Sequence, residues 1–405
     1  MTPLPPHRDP LPLRPRGSNH VGMRQFNERV VLQAIRLQGA CPKAELARLT
    51  GLTAQTVGLI TTRLEEDGLI VKQERLRGRI GQPSVPLALN PDGAFAIGVK
   101  VGRRNADWLL VDFCGQVRQR HRVDYAFPNI DTLLPTMATQ LARLHDELGP
   151  LRHRLVGVGV AAPFQMGGWH RLLGLSQAQS YAWNHIDLGA QIQAMVDVPV
   201  RLAKDTSAAG VAELVAGRGR DLKNFLYFFV DTFVGGALVL NSRLHGGLHG
   251  NAGAVASLPM QMAAADAPAP EQLISHASLW ELEQRLIARG LDPSAAYDLR
   301  AQEPPFLAET QAWLAHAAQA LALAVVSGTA FLDIDAVLID GTLAPAVLAQ
   351  LIEQTRAALT RYNWEGLWSV QLSAGLVGPD ARALGGALMP LHDNFAPDQD
   401  LFLKA

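Results

Sequence analysis

Along the first ninety positions, the spacing of apolar residues switches from a helical period to alternation. Val30, Val31, Ala34, Ile35 and Leu37 share one face over about three turns, which predicts a helix from Asn27 that Gly39 ends. Pro42 opens a short second helix, KAELARLTG, with Leu46 and Leu49 facing inward and Gly51 in a tight turn. Thr53 is a natural N-cap for a third helix, TAQTVGLITTRLEEDG, whose apolar stripe is Val57, Ile60 and Leu64 at i, i+3 and i+7. Leu69-Ile70-Val71 then reads as a strand. The turn-rich stretch Arg77-Gly78-Arg79-Ile80-Gly81-Gln82-Pro83 follows, and Val85, Leu87 and Leu89 alternate as a second strand. Two helices across a short glycine turn, followed by a hairpin, predict a winged helix-turn-helix over residues 24–92.

Such a head offers specific chemistry. Gln55 and Thr56 face outward in the first turns of the third helix, with Leu59 and Thr62 further along. Glutamine can pair bidentately with adenine, threonine can contact a base edge or phosphate, and leucine can touch a thymine methyl. Arg77 and Arg79 at the wing tip would meet phosphates or the minor groove. A trihelical protein–protein module is the competing reading, and the paired wing arginines favour DNA.

Beyond Asn90-Pro91-Asp92-Gly93 the texture changes. Strands are predicted at Phe95–Val101, Trp108–Asp112, Leu155–Ala161, Val198–Leu202, Phe225–Val230 and Ala237–Leu240, with a helical stretch at Leu133–Leu148. Strands alternating with helices, with glycine-rich turns at strand ends, indicate an α/β body over 93–405, large enough for two lobes. Gln311–Leu332 lacks acidic and basic residues, yet its alanines, His316, Gln319, Ser327 and Thr329 suit a buried core helix better than a membrane span.

Charge sharpens the division. Residues 1–90 hold 13 basic and 7 acidic side chains, a net +6, while the remainder holds 23 and 30, a net −7. A basic head on an acidic body suits a polyanionic partner, although Arg8, Arg14 and Arg16 in the tail contribute to the excess. Residues 1–23 open with a basic, proline-rich arm that lacks the apolar core of a secretory signal and is expected to be disordered. The two cysteines, Cys41 and Cys114, form no CxxC pair, so neither a disulfide framework nor a cysteine-rich zinc site is expected, in keeping with a cytoplasmic protein.

Several body segments carry a resemblance. They are Lys100-Val101-Gly102-Arg103-Arg104, Lys204-Asp205-Thr206-Ser207-Ala208-Ala209-Gly210 with Glu213, Asp231-Thr232-Phe233-Val234-Gly235-Gly236-Ala237, Gly250-Asn251-Ala252-Gly253-Ala254-Val255-Ala256-Ser257, and Ala322–Gly341. With the exit segment GRIGQPSVPLALNPDG, their order resembles the ROK family (repressors, open reading frames and sugar kinases) from about residue 24 to near the C-terminus. That resemblance implies an actin-like, sugar-kinase-type body behind a winged-helix head. It also implies what has changed. The first phosphate loop has become Lys100 to Arg104, and its bulky arginines defeat close backbone approach. The second now begins with Asp231, which would repel phosphate, and Phe233; its Gly235-Gly236 step is expected to persist as a hairpin turn. Asp205 stands where the family has its general base, though it would serve equally as a helix N-cap, and Lys204, replacing an asparagine, could pair with it. The sugar-holding Glu and His are replaced by Ala254 and Ser257, the nucleotide glycine pair has become Asp340-Gly341, and residues 258–300 hold no cysteine for the family's zinc.

The resulting expectation is a DNA-binding regulator, most simply a repressor, acting as a homodimer or tetramer on a double-stranded operator, with neither cofactor nor metal nor membrane attachment. Its body would be catalytically dead and would sense a carbohydrate-like effector through Asp205, Asn251, His249 and Lys204. Trp169 and His170 read better as packing or surface residues. The alternatives are a sugar kinase that keeps a DNA-binding head, and a ligand-independent regulator whose body is only a scaffold.

Overall fold

The computed structural model describes residues 20–74, 85–168, 176–263 and 268–397. The chain divides into two compact units. One takes residues 1–95, 112–114 and 391–405, as far as these are described; the other takes 96–111 and 115–390.

In the first unit, helix α1 (His20–Gln38) is followed by strand β1 (Cys41–Pro42), α2 (Lys43–Thr50), α3 (Ala54–Glu66), β2 (Ile70–Lys72) and β3 (Pro86–Leu89). The core gathers Val31, Leu32 and Ile35 of α1, Leu46 of α2, Val57, Ile60 and Leu64 of α3, and Ile70, Leu87 and Leu89 of the strands. Helix α1 starts at His20 rather than Asn27, because its first turns carry too few apolar residues to display a period. Leu37 is 46% exposed and Leu49 is 38% exposed, contrary to their expected inward position. Leu37 lies two residues, some ~200°, around the helix from Ile35. Leu49 sits in the last turn of an eight-residue helix that stops at Gly51, where φ is +68°. Strands β2 and β3 form the expected antiparallel hairpin, Ile70 opposite Leu89, and the two-residue β1 adds Cys41 opposite Leu87. Asn90 ties the hairpin exit to the turn after α3, its Nδ2 donating to the Gly68 carbonyl at 2.7 Å. Phe113 and Phe395 meet edge-to-face in this unit, ring centroids 4.7 Å apart.

The body begins with β4 (Phe95–Val101), β5 (Asn105–Asp112) and β6 (Val117–Asp124), then α4 (Ile130–Glu147), β7 (Leu155–Ala162), α5 (Gln177–Asn184), α6 (Leu188–Gln193), β8 (Val200–Lys204) and α7 (Asp205–Ala216). It continues with β9 (Phe225–Val230), β10 (Gly235–Leu240), β11 (Arg243–His245), α8 (Ile274–Ala277), α9 (Leu279–Ala288), α10 (Leu307–Leu332), β12 (Ala336–Gly341), α11 (Pro345–Leu359), β13 (Gln371–Ala374) and α12 (Ala381–Phe395). Among the described residues these strands build two five-stranded sheets, ordered β6-β5-β4-β7-β8 and β11-β10-β9-β12-β13. The central strands β4 and β9 are buried throughout, which is why both read as near-continuous apolar runs. The edge strand β6, VRQRHRVD, is largely exposed and charged. Such an edge resists further strand pairing, and its apolar alternation is too weak to be read as a strand.

Helix α10 is long and apolar enough to cross a membrane. Here it serves as a core helix: Trp313, Leu314, Ala317, Leu321 and Val325 are buried in one cluster with Leu282 of α9, Leu351 of α11, and Phe228 and Ile339 of the second sheet. On the first sheet, α12 approaches so closely that a side chain on Gly159 of β7 would stand 1.8 Å from the Gly386 carbonyl, and one on Gly385 would stand 1.7 Å from the Ala208 carbonyl of α7. Glycine is required at both contacts, and together they fix α12 between β7 and α7.

Candidate nucleic-acid interface and ligand cleft

The head's outward surface is set by how α3 is capped and buried. The Thr53 hydroxyl accepts from the Thr56 amide at 3.1 Å, and Val57, Ile60, Thr61 and Leu64 turn the opposite face into the core. Among the residues left to solvent, Gln55, Leu59 (58% exposed) and Thr62 form a stripe at i, i+4 and i+7, with Arg63 exposed beside it. Thr56 is half-buried, with its hydroxyl 2.8 Å from that of Thr53, so it belongs to the cap more than to the reading face. The Thr62 hydroxyl donates back to the Gly58 carbonyl at 3.0 Å. Arg77 and Arg79 lie outside the described residues. Sequence reading overlooked Lys43, which stands exposed at the first residue of α2, where a helix-turn-helix approaches phosphate.

The body holds a cleft of about 570 Å³. Its walls are the β4–β5 turn (Gly102 to Arg104), the junction of β8 and α7 (Asp205), the β9–β10 turn (Asp231 to Phe233), Glu283 of α9 and Arg382 at the start of α12. Nearly every charge in it is matched. Arg382 lies 2.5 Å from Asp231 and 3.7 Å from Asp205, with its guanidinium over the Phe229 ring. The Thr342 hydroxyl donates to the other oxygen of Asp231 at 2.7 Å. Burial alone would lift the Asp231 pKa, but Arg382, Lys100 and the Thr342 hydroxyl outweigh it and hold the carboxyl at about 2. Its expected repulsion of phosphate is therefore corrected: the negative charge is already neutralised from within the chain. Arg104 pairs with Glu283 at 3.0 Å, and Glu283 also accepts from the Tyr297 hydroxyl at 2.7 Å. Buried Lys100 donates to Asn105 and, at 3.0 Å, to Asp107; burial pulls its pKa below the usual lysine value.

The two segments that would be phosphate loops occupy each other. Arg103 of the first lies 5.0 Å above the Phe233 ring of the second and donates to the Gln165 carbonyl at 3.0 Å. Gly235 and Gly236 do not form the reversal expected of them; they open β10 opposite Phe229 and Phe228, and residues 231–234 make the turn. Nor are the amides after β13 available to a nucleotide. Glu213 accepts from Leu376 and Val377, both at 2.7 Å, and Asp340 accepts from Gly378 at 3.0 Å. Burial raises the Asp340 pKa to about 6 against the pull of the Gly341 and Gly378 amides.

A second cavity of about 210 Å³ adjoins the cleft and shares Arg103, Pro163, Asp205 and Phe233 with it. Lys204 and Asn251 line it, together with Phe164, Gln165 and Ser257. Lys204 does not pair with Asp205. Its Nζ donates to the Ala252 carbonyl at 2.8 Å, while Asp205 is the first residue of α7 rather than its N-cap; its carboxylate accepts from the adjacent Thr206 amide and faces Arg382. His249 lines neither cavity: it stands exposed on a loop whose Gly247 and Gly250 have φ near +70°, turning it outward. Trp169 and His170 lie outside the described residues. Arg382 was not anticipated; the available signal was one charged residue at the head of the otherwise small-residue run ARALGGAL.

Comparison with known proteins adds a third line. A family model described as the ROK family matches residues 96–391. An uncharacterized protein of Sinorhizobium fredii is 27% identical over 379 residues, covering 91% of this chain and 92% of its own length. A xylose repressor of Bacillus spizizenii is 23% identical over 264 residues, covering 64% of this chain and 66% of the repressor, so the match spans just under two thirds of that relative. The crystal structure of a ROK family transcriptional regulator, a homolog of the E. coli MLC protein, superposes with a TM-score of 0.68 at 19% identity over 92% of this chain and 98% of that one, which shows a shared fold.

Proposed function

This chain belongs to the ROK family, and from that premise we propose that it is a DNA-binding transcriptional regulator, acting as a repressor, whose sugar-kinase-like body senses a small ligand without phosphorylating it. The observation that carries the reading is the exposed Gln55–Leu59–Thr62 stripe on α3, the second helix of a helix-turn-helix that is buried on its other face and followed by a hairpin. A helix so held presents side chains to the major groove, with Lys43 of α2 beside the phosphates.

The division of labour is a basic arm ahead of α1, a DNA-reading head from α1 to residue 92 and a sensing body over 93–405. A relative named as a xylose repressor supports the repressor assignment and a carbohydrate-like effector. Paired half-sites favour a homodimer or tetramer, and a DNA-bound role favours the cytoplasm. Against catalysis stand the Arg103–Phe233 stack and the occupation of Asp205 by Arg382. A general base must be able to reach a substrate hydroxyl, and a phosphate loop must offer its amides.

The test is a mobility shift on the DNA upstream of the protein's own gene and its neighbours, across a salt series. A specific complex that weakens steeply with salt and is lost in Gln55→Ala supports the reading. Absence of any specific complex from a folded protein rejects it. Incubation with ATP and a panel of sugars should release no ADP; turnover abolished by Asp205→Ala would restore the kinase reading.

A further inference from the structure

We propose that the smaller body cavity receives a hydroxylated organic anion of monosaccharide size, and that Lys204 holds its charged group. The inference rests on the sensing role assigned to the body and names the class of effector.

Size comes first. About 210 Å³ gives room for one sugar ring. The lining suits a polyol: Gln165, Asn251 and Ser257 offer neutral donors and acceptors, and Phe164 and Phe233 offer apolar faces.

Charge decides the class. Arg103, Lys204 and Asp205 are the charged groups lining this cavity, and the Asp205 carboxylate already faces Arg382 at 3.7 Å. Among the described residues Lys204 has no carboxylate within ion-pairing distance. Its ammonium has three donors, of which the Ala252 carbonyl takes one. A half-buried cation without a carboxylate at ion-pairing distance is costly, and an anionic ligand removes that cost. The twelve-residue helix α7 begins at Asp205, directly after Lys204, and its amino end adds positive potential at the same place. Where the ROK resemblance implies an asparagine beside the base, this chain has the lysine, so a neutral donor has been exchanged for a cation.

Burial lowers the Lys204 pKa to about 8, with the neighbouring Asp205 opposing the shift. The ammonium is therefore present at neutral pH and titrates within reach of experiment. Affinity for an anion should be full below pH 8 and fall as pH rises through it. From pH 7 to pH 9 the charged fraction falls about tenfold, and the apparent affinity with it. Arg103, which also lines the cavity, keeps its charge over that range, since burial lowers its pKa only to about 10.

Calorimetric titration of the full chain tests this with gluconate and glucuronate as carboxylates, glucose 6-phosphate as the phosphorylated source, and glucose and inorganic phosphate as controls. The expected result is binding of the carboxylates or of the sugar phosphate at least tenfold tighter than glucose. Lys204→Met should abolish the preference, and wild-type affinity should fall about tenfold between pH 7 and pH 9. The pH series needs no variant and so decides the matter if Lys204→Met does not fold. Glucose binding as tightly as the anions, an affinity unchanged in Lys204→Met and at pH 9, or no binding by any of the anions overturns the proposal. A specific DNA complex in the same preparation would then show that the regulator reading survives without it; loss of that complex too would show that the regulator reading fails as well.

Discussion

The Arg382 guanidinium joins two acidic residues from different parts of the body, lying 2.5 Å from Asp231 at the end of β9 and 3.7 Å from Asp205 at the start of α7. All three are largely buried, so the cation cannot be removed without leaving carboxylates in a poorly solvated place. Arg382→Met should cost about 3–5 kcal/mol in urea denaturation. Arg382→Met with Asp231→Asn should recover a large part of that, because fewer unpaired charges remain. A double variant no more stable than the single one would mean that packing, not charge, makes the arginine important.

The same pair predicts an acid limb. Asp231 is held at about 2, against an ordinary value of 3.8. A carboxyl with a lowered folded-state pKa contributes stability that is complete above the unfolded value and is lost as pH falls through the folded one. Unfolding midpoints measured from pH 5 to pH 2 should therefore fall, and Asp231→Asn should fall less steeply while starting lower at pH 5. Parallel curves for the two proteins would contradict the assignment.

Gly159→Ala should be among the most damaging single-methyl changes in the body. The added carbon would overlap the Gly386 carbonyl of α12, and neither backbone has room to retreat without disturbing β7 or the α12–α7 contact. A loss above ~4 kcal/mol, or failure to accumulate as folded protein, is expected. Gly366→Ala is a useful comparison: that glycine has open space around it but a φ of +82°, so its cost comes from backbone strain alone.

On α3 the two leucines should separate stability from recognition. Leu64 is 2% exposed and Leu59 is 58% exposed. Leu64→Ala should cost ~2–5 kcal/mol of stability. Leu59→Ala should change stability by under ~0.5 kcal/mol yet weaken the specific DNA complex. Equal DNA affinity for Leu59→Ala and wild type would restrict base reading to Gln55 and Thr62.

Much of this architecture is legible in the chain because its cores are written in strong periods. The Val57–Ile60–Leu64 stripe, the Thr53 cap and the buried strands Phe95–Val101 and Phe225–Val230 stand where their patterns put them. What escapes is of two kinds. Edge strands such as Val117–Asp124 have one face in water and carry arginines that hide their alternation. Long-range charge matching escapes as well, since no local pattern ties Arg382 to Asp231 across 151 positions or Arg104 to Glu283 across 179. Lys204 shows the limit clearly. Adjacency in sequence suggested a bond to Asp205, but successive residues at a strand-to-helix junction diverge, and the lysine reaches Ala252 instead.

The strand orders β6-β5-β4-β7-β8 and β11-β10-β9-β12-β13 are one pattern written twice, with β4 and β5 in the first sheet answering to β9 and β10 in the second. Arg103, between β4 and β5, and Phe233, between β9 and β10, therefore occupy the same station in the two halves of a duplicated fold, and each half closes the cleft against the other. A lone substitution at either station would leave its counterpart still in the gap, so opening the cleft there takes a change on both sides.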